Sequence, residues 1–273
     1  MPTFFKHLRW RAAGIRILVL SGLFVLFSLP TGRVHSFAGA GPYTHIRITR
    51  EALDRFTWET GFDLNPVCAE YILQGSVVSD AADNMPQYTF HCDNNDLISC
   101  SWRLDQFKTQ ANKATNTMRS LEMVGMSLHI VQDFYAHSNW VESFQFSMLE
   151  APLSVFKDVA PPVDVQTGYF PDIFPDINAQ IACYETPPEY WNRFIYGATH
   201  ACLNKDSNRT LRGAYLVPNG FGTTYHELAA QYAINHSVQL LHYYSKHNPW
   251  FQGCYLARIQ TQGCTGGLLK LMH

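Results

Sequence analysis

The sequence predicts a mainly α-helical fold in a single domain with long loops. Three observations carry this. Apolar residues recur at helical spacing through several segments, few segments alternate with period two, and no internal repeat or linker divides the chain. The 273 residues, 47% hydrophobic and 14% aromatic, suffice for a sizeable core and exclude a disordered composition.

The first element is a leader. Lys6, Arg9, Arg11 and Arg16 precede "ILVLSGLFVLFSLP" (17–30), an apolar run of 14 residues that suits a signal h-region and is short for a membrane span. "SFA" and "AGA" supply small-x-small cleavage sites, so residues 1–40 read as a secretory signal peptide and 41–273 as the mature helical domain. An uncleaved N-terminal anchor is the alternative. No stable membrane span is expected after the signal is removed. Five of the 20 Lys and Arg residues and none of the acidic ones lie in 1–40. The mature chain thus carries 15 basic against 22 acidic residues, a net of −7. That balance excludes a basic groove that grips nucleic acid by electrostatics alone, yet suits an acidic pocket filled by divalent metal.

"THIRITREALDRFTWET" (44–60) reads as a helix capped by Thr44, with Ile46, Ile48, Leu53 and Phe56 on its apolar face. Residues 66–74 read as a short helix stopped by Gly75. Residues 80–101, rich in Asp, Asn and Cys, read as a loop. Residues 103–144 give two helices, the longer over 118–144. The Pro-rich and aromatic-rich stretch 151–190 reads as an ordered loop, and 223–247 as the last helix. The seven cysteines, all in the mature part, suit disulfides in a secreted chain. Cys92–Cys100, Cys183–Cys202 and Cys254–Cys264 are plausible short-range pairs, although connectivity does not follow from spacing. "NRT" at Asn208 and "NHS" at Asn235 are glycosylation sequons, the second inside an expected helix.

The chemistry lies in "LHIVQDFYAHSNWVE" (128–142). Four residues advance a helix by about 6 Å and about 40° past a full turn, so His129, Asp133 and His137 share one stripe. A carboxylate between two imidazoles can bridge two cations. The helix leaves little solvated face, and Asp133 is the only acidic or basic residue between Glu122 and Glu142. A buried carboxylate needs a partner, and metal is the one this pattern suits. His236, His242 and His247 read as structural or exposed. Tyr135, Trp140 and Trp191 could stack a base or meet an acyl chain, but core packing is the commoner use.

"THIRITREAL", "GSVVSD", His91 and "LHIVQD" together resemble the zinc-dependent phospholipase C and single-strand nuclease superfamily. The fuller "LHIVQDFYAHSNWVE" is closest to its Het-C-like branch. It also resembles the N-terminal region of some von Willebrand factor A domain-containing proteins. The resemblance implies a helical fold of that superfamily's type and two or three Zn²⁺ ions. Position by position, it implies His45, Asp80, His91, His129, Asp133 and His137 as ligands, with Asp133 bridging. His137 follows the aspartate by four residues where the superfamily has six. A mature N-terminus at Gly39 or Gly41 would add a chelating amine, although the superfamily's N-terminal tryptophan is missing. The superfamily's late His-x-x-x-Glu/Asp is incomplete, because Ala230 follows His226, and "THACLNKD" offers His200 and Asp206 instead.

Two function classes follow. One is a secreted zinc-dependent phosphodiesterase-like hydrolase acting on phospholipid or single-stranded nucleic acid, with Asp80 or Asp133 orienting the attacking water. The other is a non-catalytic secreted recognition or structural module of Het-C-like type that retains the zinc-site fold. No protein partner is expected.

Overall fold

A computed structural model describes residues 42–81, 84, 87–144, 150–168 and 200–256. These all fall within one compact unit, 35–273. The leader, Cys183, Cys264 and Trp191 lie outside the described residues.

Helix α1, His45–Thr60, begins where the Thr44 hydroxyl accepts the Arg47 N–H at 3.2 Å. It ends at Gly61, whose φ of 71° suits a residue without Cβ. Ile48, Ala52, Leu53 and Phe56 face inward, whereas Ile46, expected on that face, is exposed. Helix α2, Pro66–Val78, is capped by Asn65 and has proline in its first turn. It does not stop at Gly75. A Cβ on Gly75 would lie 2.3 Å from the Glu122 carbonyl oxygen, and one on Gly125 would lie 2.2 Å from that of Ile72. Gly75 is therefore where two backbones touch, not a helix terminator.

A short 3₁₀ turn at Tyr88–Phe90 leads to α3, Leu97–Lys113, capped by Asp96. The expected loop over 80–101 thus gives way to structure earlier than composition suggests. Helix α4, Thr117–His137, is capped by Asn116 and buried along nearly its whole length. It packs against α2, α3 and α8, Tyr225–His247, and forms the axis of the molecule. Helix α8 opens with a full capping box: Thr224 accepts the Glu227 N–H, and Glu227 accepts that of Thr224. Short helices α5 (Trp140–Phe144), α6 (His200–Leu203), α7 (Leu211–Ala214) and α9 (Pro249–Gln252) complete the described residues. No strand occurs among them, only isolated bridges. The architecture is mainly α, as expected, and no described helix is long and apolar enough to cross a membrane.

The expected single helix over 118–144 is broken after His137. Ser138 is extended and bridges Thr167. Gly168 N–H donates to the His137 carbonyl at 2.9 Å, and Lys205 N–H donates to that of Ala136, also at 2.9 Å. Two remote segments thereby cap the last carbonyls of α4 and hold its end in place. The buried Lys205 ammonium donates to the Ser138 and Leu203 carbonyls at 2.6 and 2.8 Å, with Glu142 at 3.3 Å. Burial lowers its pKa to about 8 against the opposing pull of Glu142.

Cys92 pairs with Cys100, as the spacing suggested. Cys254 pairs with Cys68 rather than Cys264. The reason is tertiary: Asn65 N–H donates to the Cys254 carbonyl, and Leu256 N–H to that of Asp63, both at 2.8 Å, which brings the chain after α9 onto the start of α2. Cys202 is also disulfide-bonded, its partner outside the described residues. Asn208 is exposed, whereas the Asn235 side chain accepts from Arg55 at 2.5 Å on α8.

Candidate metal centre

Asp133 is fully buried and sits among three imidazoles. Its Oδ2 lies 2.7 Å from His91 Nδ1 and 2.8 Å from His129 Nε2, and its Oδ1 lies 3.2 Å from His45 Nε2. Asp80 closes the group, 3.7 Å from His45 and 3.9 Å from both His91 and His129. Four separate segments meet here: the start of α1, the end of α2, the loop before α3, and the middle of α4.

The imidazoles are held from behind. His129 Nδ1 donates to the Ser76 carbonyl at 2.9 Å, which turns Nε2 toward Asp133. His45 Nδ1 donates to Gln132 Oε1 at 2.7 Å, and the Gln132 amide donates to Thr49 at 2.9 Å. These outer contacts fix the tautomer and aim of each ring, as metal-ligating histidines require. Gln132 is a positioning residue that the sequence reading missed. Its signal is only its place next to Asp133 and one turn from His129.

Burial alone would lower the pKa of His45, but Asp133 outweighs it and, with Asp80, raises it to about 9. Burial also opposes the charged form of His91, and again Asp133 prevails and raises it. The converse holds for Asp133, whose carboxyl is held well below the usual range against desolvation, chiefly by His129 and His45. Both oxygens of Asp80 and the Nε2 of His91 are buried without a hydrogen-bond partner. One ligand atom each from His45, Asp80, His129 and Asp133 lies within 4.8 Å of the others, and His91 joins them through Asp133. Mixed nitrogen and carboxylate donors, partly orphaned and closely spaced, fit a zinc-type ion.

A second group lies one turn further along α4. His137 Nδ1 and His200 Nδ1 each stand 3.4 Å from Asp93 Oδ1. His137 Nε2 stands 3.0 Å from Asp206 Oδ1. Desolvation opposes every charge here, yet mutual attraction lowers Asp93 and Asp206 and raises His137 well above its ordinary value. His226 donates to the Lys205 carbonyl at 2.8 Å, and its pKa is lowered, mainly by burial. It is close in sequence space to neither group of ligand atoms and belongs to neither in the fold. Asp93 was not expected from the sequence; its one hint is that it follows His91 and Cys92 in the Asp/Asn-rich stretch.

Other residues settle into the core. Tyr135 is buried, accepts the Ala151 N–H at 2.9 Å and meets His236 Nδ1 at 3.0 Å. Trp140 stacks on Phe144, with ring centres 4.1 Å apart. His242 pairs with Glu59 at 2.8 Å, and His247 packs on Tyr243.

The described residues thus define a helical domain with two buried histidine–carboxylate groups along one helix. Among known families, the VWA7 N-terminal domain matches residues 67–164. That stretch carries Asp80, His91, Asp93, His129, Asp133 and His137, and stops short of His45, His200, Asp206 and His226. The match supports the resemblance to the N-terminal region of von Willebrand factor A domain-containing proteins. Neither the curated proteins nor the solved structures yield a significant match.

Proposed function

We propose that this chain is a secreted, zinc-dependent phosphodiesterase-like hydrolase acting on phospholipid or single-stranded nucleic acid. One observation carries the reading: a fully buried carboxylate, Asp133, stands within 3.2 Å of three imidazoles whose outer nitrogens or neighbours fix their aim. His45, Asp80, His91, His129 and Asp133 would hold the metal. Zinc bound there supplies a Lewis acid for phosphate oxygens and water acidified toward neutrality.

The chain's own groups divide the remaining work. Asp133 neutralises cationic charge inside the core. Ser76 and Gln132 keep His129 and His45 aimed. Asp80 is the least buried of the five and its oxygens have no hydrogen-bond partner, so it is placed to orient a water and take its proton. The two disulfides between described cysteines suit an oxidising compartment and support secretion.

A second reading is a non-catalytic module that keeps the metal for structure. Buried Ala230 stands where the superfamily places a carboxylate, and His45, His91 and His129 are at most 3% exposed. Closed sites of that kind are typical of structural zinc.

Zinc-loaded protein assayed on a soluble phosphatidylcholine analogue, single-stranded DNA and single-stranded RNA separates the two. The hydrolase reading expects turnover on one substrate, abolished in Asp80→Asn and His129→Ala. No turnover from fully metallated protein selects the module, and equal turnover by wild type and variants marks a contaminant.

A further inference from the structure

We propose that Asp93, His137 and His200 form a second divalent-cation site, distinct from the cluster around Asp133, with Asp206 as the carboxylate that orients His137. The proposal extends the metal-binding reading above.

The spacing is that of a chelate. A tetrahedron with bonds of about 2.1 Å has edges of about 3.4 Å, using typical zinc–nitrogen and zinc–oxygen lengths. Asp93 Oδ1 stands 3.4 Å from His137 Nδ1 and 3.4 Å from His200 Nδ1. One ligand atom from each of the three residues lies within 4.8 Å of the other two. All three are at most 3% exposed. Asp206 meets His137 on its other nitrogen at 3.0 Å, the usual arrangement of a carboxylate behind a ligating imidazole. Two imidazoles and one carboxylate suit a zinc-type ion and leave a coordination position open, whereas a calcium-type ion prefers all-oxygen sites.

Asp93 reaches this place because its turn is pinned on both sides. Cys92, Asn94 and Asn95 have φ of 54°, 67° and 57°. Cys92 is bonded to Cys100 on α3. Asp93 N–H donates to the Tyr88 carbonyl at 3.1 Å, and Asn94 N–H to that of Gly168 at 2.7 Å. Asn95 and Thr167 exchange two hydrogen bonds, at 2.7 and 2.9 Å. This backbone sends His91 to the Asp133 cluster and Asp93, two residues on, to the His137 group. The same three-residue stretch therefore feeds both sites. The carboxylate absent at position 230 is replaced from a different part of the chain.

The test is metal titration of the chelator-stripped full-length chain with Zn²⁺ and with Co²⁺. Metal per chain is read by elemental analysis, and coordination by visible cobalt absorption. Asp93→Asn is expected to lose one equivalent and the cobalt band of that site, while the remaining metal binds as in wild type. Asp133→Asn is expected to show the converse, keeping the Asp93 site. Asp206→Asn should keep the stoichiometry but weaken the second equivalent about tenfold or more. If Asp93→Asn does not fold by circular dichroism, His200→Ala carries the same expectation. Unchanged stoichiometry and affinity in the folded variant would overturn the second site and leave the first standing. Wild-type protein that takes up no metal would overturn both.

Discussion

Asp133 shows how one carboxylate organises its surroundings. Without it, His45 and His91 would be desolvated cations or neutral rings with no acceptor, and either outcome is costly in a dry interior. Asp133→Asn in the chelator-stripped protein is therefore expected to lower the unfolding free energy by about 3–5 kcal/mol, the usual cost of breaking a buried pair. Urea denaturation measures it; a loss under 1 kcal/mol would mean the histidines are neutral without Asp133. His236 gives the opposite case. Burial and nearby Lys108 push its pKa down to about 4 from 6.5. The unfolded chain thus binds an extra proton between those values, so stability is full above pH 6.5 and falls as pH drops toward 4. The loss approaches about 3 kcal/mol, an order-of-magnitude figure. His236→Asn should flatten that part of the stability profile. A slope unchanged by the substitution would mean His236 titrates normally.

At the scale of elements, the helices legible in the sequence were those whose caps and apolar faces are local: α1, α4 and α8. Their signals, Thr44 and the periodic apolar residues, lie within a few positions of what they determine. What the sequence did not disclose depends on distant partners. Gly75 reads as a stop, but its missing side chain serves the α2–α4 contact. Ser138 ends α4 because residues 162–168 and Lys205 occupy the next hydrogen-bonding positions. The ladder His129, Asp133, His137 is visible because one helix carries it. Asp93 is hidden because only a turn with three residues at positive φ delivers it. The α2–α4 contact makes a sharp prediction. Gly125→Ala would place a methyl 2.2 Å from a carbonyl that cannot move alone. Overpacking of this kind costs about 3 kcal/mol or more. Thermal unfolding should report it, and a variant as stable as wild type would show that the helices separate easily.

Across the whole molecule, the start of α2 and the end of α9 meet, and Cys68–Cys254 ties them across 186 residues of sequence. In the chain-entropy account, a loop that long gives a cross-link worth about 5 kcal/mol, strain aside. Both candidate clusters draw most of their residues from inside this loop; His45 alone, on α1, stands outside it.

That cross-link makes the region from 68 to 254 topologically a ring. A ring cut once is still one molecule. Arg209 is exposed between α6 and α7 and offers trypsin a place to cut. Protein nicked there should run as a single band on a non-reducing gel and as two after reduction. Two bands without reductant would show that the ring is open.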